Sequence, residues 1–290
     1  MRLVSFCIGR EKHIGIRAEA GILDLNAASG SMTNDMKEFL AMGEEGILQA
    51  QKLLSSLNKE WIVANEKISL LAPVPDPGKI LCIGHNYSGH IGIGKTEAPE
   101  YPNLFCKTGN TIVADGEAIL LPPVTEMVEY EAELMAVIGK QAYQVSEEEA
   151  ESCIAGYTLF NDVSARDYQK RGSQWMLGKC FDTFGPMGPE LVTPDEIPDV
   201  YHLELELRVN GVLKQKINTD KMIFSVPYLI SYISQVMTLE VGDVIATGTP
   251  AKLPQAAEEK RSLRDGDIVE MSIEKIGVLK NPVRSAPVKK

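Results

Sequence analysis

The chain has 290 residues, enough for one large domain or one domain with a small appendage, which excludes a short disulfide-stapled peptide. Its 29 Lys and Arg residues stand against 40 Asp and Glu, giving −11 at pH 7, and no local basic patch offsets that charge, so no nucleic-acid partner is expected. Hydrophobic residues at 44% and charged residues at 24% allow a sizeable core and exclude a disordered chain.

In chain order, the segments Leu3–Ile8, His13–Arg17 and Gly21–Asp24 read as short strands. The amino-terminal apolar run is too short for a secretory signal and reads as the first strand. A helical stretch follows, with Met36, Phe39, Leu40, Ile47, Leu48 and Leu54 at roughly helical spacing. Residues 1–72 are therefore expected to form a small α+β domain. Ala72-Pro73-Val74-Pro75-Asp76-Pro77-Gly78 can continue neither a helix nor a strand, so a larger domain is expected over 73–290.

That larger region reads as strand-rich. Strands are expected at Ile80–Ile83, Ala118–Leu120, Tyr130–Ile138, Tyr157–Phe160, Leu203–Val209, Asp243–Thr247 and Asp267–Ile273. Asn210-Gly211 supplies the positive φ angles of a tight hairpin turn. Two helices are expected: Ser146–Cys153, with Ser146 and Glu149 as a capping box, and Ser225–Val236, with Pro227 in its first turn. The fold class is α+β and strand-rich. The most apolar stretch, 224–237, is interrupted by Pro227, Ser231, Ser234 and Gln235, so no membrane span is expected. Five cysteines (Cys7, Cys82, Cys106, Cys153, Cys180), odd in number and without a CxxC pair, point to a reducing compartment, read as the cytoplasm, and each reads as a small core residue.

The sharpest chemical feature is Val128-Glu129-Tyr130-Glu131-Ala132-Glu133. As a continuous strand it places three carboxylates on one face at intervals of about 7 Å. Because Met135 and Val137 continue that face, the row is half-buried, and half-buried carboxylates need a partner. Asp162 follows a second strand at its turn. Two Glu with one Asp make a hard, all-oxygen ligand set suited to magnesium, manganese or calcium, with positions left for water and a bidentate oxyacid.

Five motifs occur in one order: Lys79–His90 (KILCIGHNYSGH), the Glu-x-Glu strand, Asn161–Asp167 (NDVSARD), Leu177–Thr183 (LGKCFDT) and Ala246–Pro250 (ATGTP). Together they resemble the fumarylacetoacetate hydrolase family over about residues 70–285, and the amino-terminal part resembles the small leader domain of many members. The resemblance implies a mixed β-sheet roll, a homodimer, and a divalent metal, commonly magnesium, on Glu131, Glu133 and Asp162. It implies catalytic roles for His90 and Lys179, substrate contacts at Arg166, Gln169 and Thr249, Glu129 just behind the ligands, and His85 in the pocket wall.

The implied substrates are small oxo acids whose 2-oxo carboxylate chelates the metal. The expected function is cleavage of a C–C bond in a 2-oxo or β-diketo acid, as an acylpyruvate- or fumarylpyruvate-type hydrolase or an oxaloacetate decarboxylase. The alternatives are an isomerase or tautomerase of hydroxymuconate-type diacids, and a catalytically degenerate, metal-stabilised binding dimer. Two departures bear on this. Ile93 stands where many members place a glutamate that pairs with the histidine, so hydrolysis is affected more than decarboxylation or enol–keto exchange, and the glycine-rich 89–95 segment reads as a mobile lid, with Glu97 and Glu100 the candidate substitutes for the absent carboxylate. Ala251-Lys252-Leu253-Pro254-Gln255 replaces a glycine-rich loop.

Overall fold

The computed structural model describes residues 1–56, 58–90, 98–259 and 261–287. β1 (Arg2–Ile8), β2 (Glu11–Ala18) and β3 (Gly21–Asp24) form an antiparallel run where the alternation predicts it. Asp24 ends β3 and accepts the Ala27 amide at 3.0 Å, which starts α1 (Leu25–Ser29). The helical stretch divides into α2 (Met36–Ala41), capped by Asp35, and α3 (Gly43–Ser55). Gly43 at φ +59° makes the turn between them. β4 (Ile62–Val63) and β5 (Ser69–Leu70) complete this region against β3 and β1.

Beyond the irregular proline-rich segment lie β6 (Ile80–Gly84), β7 (Asn103–Lys107), β8 (Ile112–Val113), β9 (Ile119–Leu121), β10 (Val128–Glu129) and β11 (Ala132–Ile138). α4 (Glu147–Glu151) carries the complete Ser146/Glu149 capping box. Next come β12 (Ile154–Asn161), β13 (Ser164–Ala165), α5 (Arg166–Gln169), α6 (Met176–Lys179) and β14 (Gly185–Val192). β15 (Glu204–Val209) and β16 (Val212–Asn218) form the expected hairpin, with Asn210 and Gly211 at φ +51° and +77°. α7 (Val226–Ser234), β17 (Val244–Ala246), α8 (Pro254–Glu259), β18 (Ile268–Ile273) and β19 (Gly277–Ser285) complete the chain.

Among the described residues a twelve-stranded mixed sheet runs β4-β3-β2-β1-β14-β12-β11-β17-β6-β7, with β5 and β8 on side branches. Leu3 lies opposite Leu191, so the amino-terminal strands and the carboxylate-bearing strands belong to one sheet. A second sheet runs β16-β15-β18-β19-β9. This is the strand-rich α+β architecture expected. Two cores lie on either side of β11: Leu134, Ala136 and Ile138 enter one, while Met135 and Val137 enter the other beside Leu3, Ile14, Phe39 and Phe160.

Several strands escape the alternation rule. β14 reads Gly-Pro-Met-Gly-Pro-Glu-Leu-Val, and its two prolines and two glycines conceal a strand that joins the amino-terminal region to the rest. The expected single strand through the glutamates is two strands. β10 pairs with β13 and β11 with β12, with Tyr130 and Glu131 in the break. Cys106 lies exposed on the edge strand β7, and Cys7 and Cys180 are half-buried, so the core reading holds for Cys82 and Cys153 alone. No helix among the described residues is long and apolar enough to cross a membrane.

Candidate metal centre

The break before β11 gives the glutamates different tasks. The Glu131 amide donates to Asn161 Oδ1 at 3.0 Å, and its carbonyl accepts the Asp162 amide at 2.9 Å. The break is thereby pinned to the end of β12, which brings the two acidic positions together. Glu133, inside β11, is 1% exposed, and its Oε2 accepts the Gly248 amide at 2.8 Å. One carboxylate oxygen from each of Glu131, Glu133 and Asp162 lies within 4.8 Å of the others. Glu129 is outside this cluster and pairs instead with Arg166 and Lys252.

Three buried carboxyl groups at this separation require compensation. Lys179, at the end of α6, places Nζ 2.5 Å from Asp162 Oδ2 and 2.7 Å from Glu131 Oε2, and 4.8 Å from the centre of the Phe105 ring. Lys107, at the end of β7, places Nζ 2.6 Å from Asp162 Oδ1 and 3.1 Å from the Val163 carbonyl. Arg166 spreads its guanidinium over three partners: Nε to Glu129 Oε2 at 2.9 Å, Nη2 to Glu131 Oε1 at 2.5 Å, and Nη1 to Gln169 Oε1 at 3.0 Å.

The two glutamates respond oppositely to this field. Burial alone would raise the Glu131 pKa, but Arg166 and Lys179 hold it well below the usual carboxylate range. Glu133 is pushed well above that range by burial and by the Asp162 and Glu131 carboxylates. Lys179, despite burial, is held above the ordinary lysine value by Asp162 and Glu131, so its ammonium persists at neutral pH. The Cys82 thiol is raised by burial and by Asp162 and Glu133, so it is not a ready nucleophile.

The other expected site residues flank this cluster. Thr249 Oγ1 accepts from Gln215 Nε2 at 2.9 Å, while its carbonyl lies 2.9 Å from His90 Nδ1. A carbonyl accepts only, so Nδ1 carries the proton and Nε2 of a neutral imidazole keeps its lone pair. The His85 ring packs edge-on against His90 and Trp175 at 5.8 and 5.5 Å. Ile93, Glu97 and the segment read as a lid lie outside the described residues, apart from Gly89 and His90. Glu100 is exposed.

Lys107 and Gln215 were not singled out by sequence. Lys107 ends a half-buried strand that carries no motif of its own, and only the excess of buried carboxylates hints that a further cation is required. Gln215 sits inside β16 and accepts the Ala132 amide at 3.1 Å while donating to the Pro250 carbonyl at 2.7 Å. It thus ties the start of β11 to the Thr249 turn.

Hard oxygen donors, buried, close together and flanked by fixed ammonium groups, define an acidic centre of the kind that holds a small divalent cation and an oxyanion. The donor set fits such a cation, since a carboxylate trio supplies charge and leaves coordination positions for other oxygens. The family model for the carboxy-terminal domain of fumarylacetoacetate hydrolase matches residues 79–284, and the chain belongs to this family of enzymes. It is 42% identical over 289 residues to the mitochondrial oxaloacetate tautomerase fahd2 of Xenopus laevis, covering 98% of this chain and 90% of that one. A maleylpyruvate hydrolase from Sphingobium, solved with manganese(II) and pyruvate, superposes with a TM-score of 0.81 at 30% identity, over 99% and 100% of the two chains. A 5-carboxymethyl-2-hydroxymuconate delta-isomerase from Mycobacterium smegmatis superposes at 0.78 with 32% identity, over the same shares. The resemblance read from the motifs is thus correct, and the related enzymes include both C–C hydrolase and isomerase chemistry.

The expected compartment is also corrected. The cytoplasmic reading is overturned by the frog relative, which is named as mitochondrial. Unpaired cysteines distinguish reducing from oxidising surroundings, and that criterion does not separate the cytoplasm from a reducing organelle interior.

Proposed function

We propose that the chain is a magnesium-dependent enzyme acting on a small 2-oxo diacid, and that its reaction is the keto–enol tautomerisation of oxaloacetate or a close analogue. The observation that carries this reading is the buried Glu131–Glu133–Asp162 cluster, with donor oxygens within 4.8 Å of one another. Magnesium held there by these three carboxylates would supply Lewis-acid polarisation of the substrate's 2-oxo group. Manganese and calcium are compatible with the same donors.

The chain's own residues do the rest. Lys179 adds a fixed positive charge where the enolate oxygen develops, at no reorganisation cost because Glu131 and Asp162 already hold it. His90, with Nδ1 anchored on the Thr249 carbonyl, offers Nε2 to take the proton from C3, and the proton returns to the C2 oxygen to give the enol. Atoms and charge balance without water. Arg166 and Gln169 hold one another and Glu131 in place, and the Thr249 hydroxyl, fixed by Gln215, follows the Gly248 amide that binds Glu133. The same electrostatics would serve C–C cleavage, which the likeness to maleylpyruvate hydrolase keeps as the second reading. A homodimer, with a leader region over 1–72 that shares its sheet with the rest through β1 and β14, completes the proposal, and sedimentation or light scattering checks the dimer.

The test is a parallel assay with magnesium of oxaloacetate tautomerisation, oxaloacetate decarboxylation and acylpyruvate hydrolysis. Tautomerisation is expected to be fastest. Faster hydrolysis moves the assignment to the second reading, and silence on all three moves it to the degenerate binding dimer.

A further inference from the structure

Lys252 sits in the irregular segment between β17 and α8, three residues after Thr249. Its side chain is 17% exposed, with Nζ 2.9 Å from Glu129 Oε2 and 5.0 Å from the centre of the Tyr130 ring. The same Glu129 oxygen accepts Arg166 Nε, and Arg166 Nη2 in turn holds Glu131. Lys252 is therefore linked through Glu129 and Arg166 to a carboxylate of the cluster. An ammonium has three donors, and among the described residues Glu129 is its one ion-pair partner. Lys107 and Lys179, by contrast, are buried and contact carboxylates of the cluster itself.

The charge balance gives this lysine a consequence. With Glu133 ionised, as metal binding requires, four carboxylates (Glu129, Glu131, Glu133, Asp162) face four cations (Lys107, Arg166, Lys179, Lys252), so the side-chain charges cancel. A divalent cation on the cluster leaves two positive charges, which a doubly charged 2-oxo acid neutralises and a monoacid does not. Without Lys252 one positive charge remains, which matches a monoacid. In a centre this buried such a difference is weakly screened, and complementary charge acts as a selector of partners.

We infer that Lys252 is a specificity-determining residue, its ammonium meeting the second carboxylate of the substrate and selecting diacids over monoacids. This rests on the proposed oxo-diacid function. The test is calorimetric binding of 3,3-difluorooxaloacetate, which cannot enolise, and of pyruvate, to the magnesium-loaded protein. Wild type is expected to bind the diacid at least about tenfold more tightly than pyruvate. Lys252→Met should remove most of that preference, weakening the diacid by about tenfold or more and pyruvate by less than about threefold, and Lys252→Arg should restore it. Lys252→Gln serves as the second neutral variant. Equal weakening of both ligands, or a preference kept in both neutral variants, overturns the role of Lys252 and leaves the diacid function standing. A wild type with no preference overturns the diacid function itself, and this inference with it.

Discussion

Two ends of one face of β11 follow opposite rules. At its carboxy-terminal end Met135 and Val137 are buried among aliphatic and aromatic neighbours. At its start, Glu133 and the preceding Glu131 are also buried, but among charges of both signs. The apolar end is stabilised by removal of surface from water, whereas the acidic end is tolerated because Lys107, Lys179 and Arg166 converge on it. One end should contribute stability and the other function.

The largest expected effect tests the acidic end. Glu131→Gln removes a donor and leaves Lys179 and Arg166 short of a partner, so turnover should fall by more than about 100-fold, beyond the scale seen for outer-shell changes. A variant with near-normal kcat in magnesium would show that the cluster is not the centre. Met135→Ala probes the apolar end. It should cost about 2–5 kcal/mol in chemical denaturation, while the gain in Tm on adding magnesium stays as in the wild type, and loss of that gain would show that the two ends are not separate.

Glu133→Gln sharpens the contrast. Removing a carboxylate that burial and two like charges disfavour should raise the stability of the metal-free protein by about 1 kcal/mol. It should also abolish the magnesium-dependent shift in Tm. Destabilisation without metal would place Glu133 with the apolar end.

The smallest effect is on pH. The pKa of Glu133 is raised in the folded chain, so folding favours its protonated form. The associated stability is present below the ordinary carboxylate range and is lost as pH rises through the raised value. A dication needs the carboxylate, so binding expels that proton. Magnesium titrations should accordingly tighten as pH rises from about 5 to about 8, and isothermal titration in two buffers of different ionisation enthalpy should report proton release. A pH-independent affinity would mean that Glu133 is already ionised.

Much of the candidate site could be read from the sequence because its motifs are local. Asn161-Asp162 follows a strand, Glu131 and Glu133 keep the two-residue spacing, and Lys179 lies in the Leu-Gly-Lys-Cys run. Spacing failed for Glu129, which the break at Tyr130 and Glu131 turns toward Arg166 and Lys252. It also failed for β14, whose prolines and glycines carry no strand signal.

The sequence by itself determined the periodicities, the caps, the Asn-Gly hairpin and the acidic residues, because each depends on neighbours a few positions away. Only the tertiary structure decided that the amino-terminal strands would share a sheet with the carboxylate-bearing ones through β1 and β14. It alone brought Lys107 to Asp162 and Gln215 to Thr249. The reason is physical: the residues that neutralise a buried charge are chosen by proximity in space, and the chain encodes that proximity only through the packing of whole sheets.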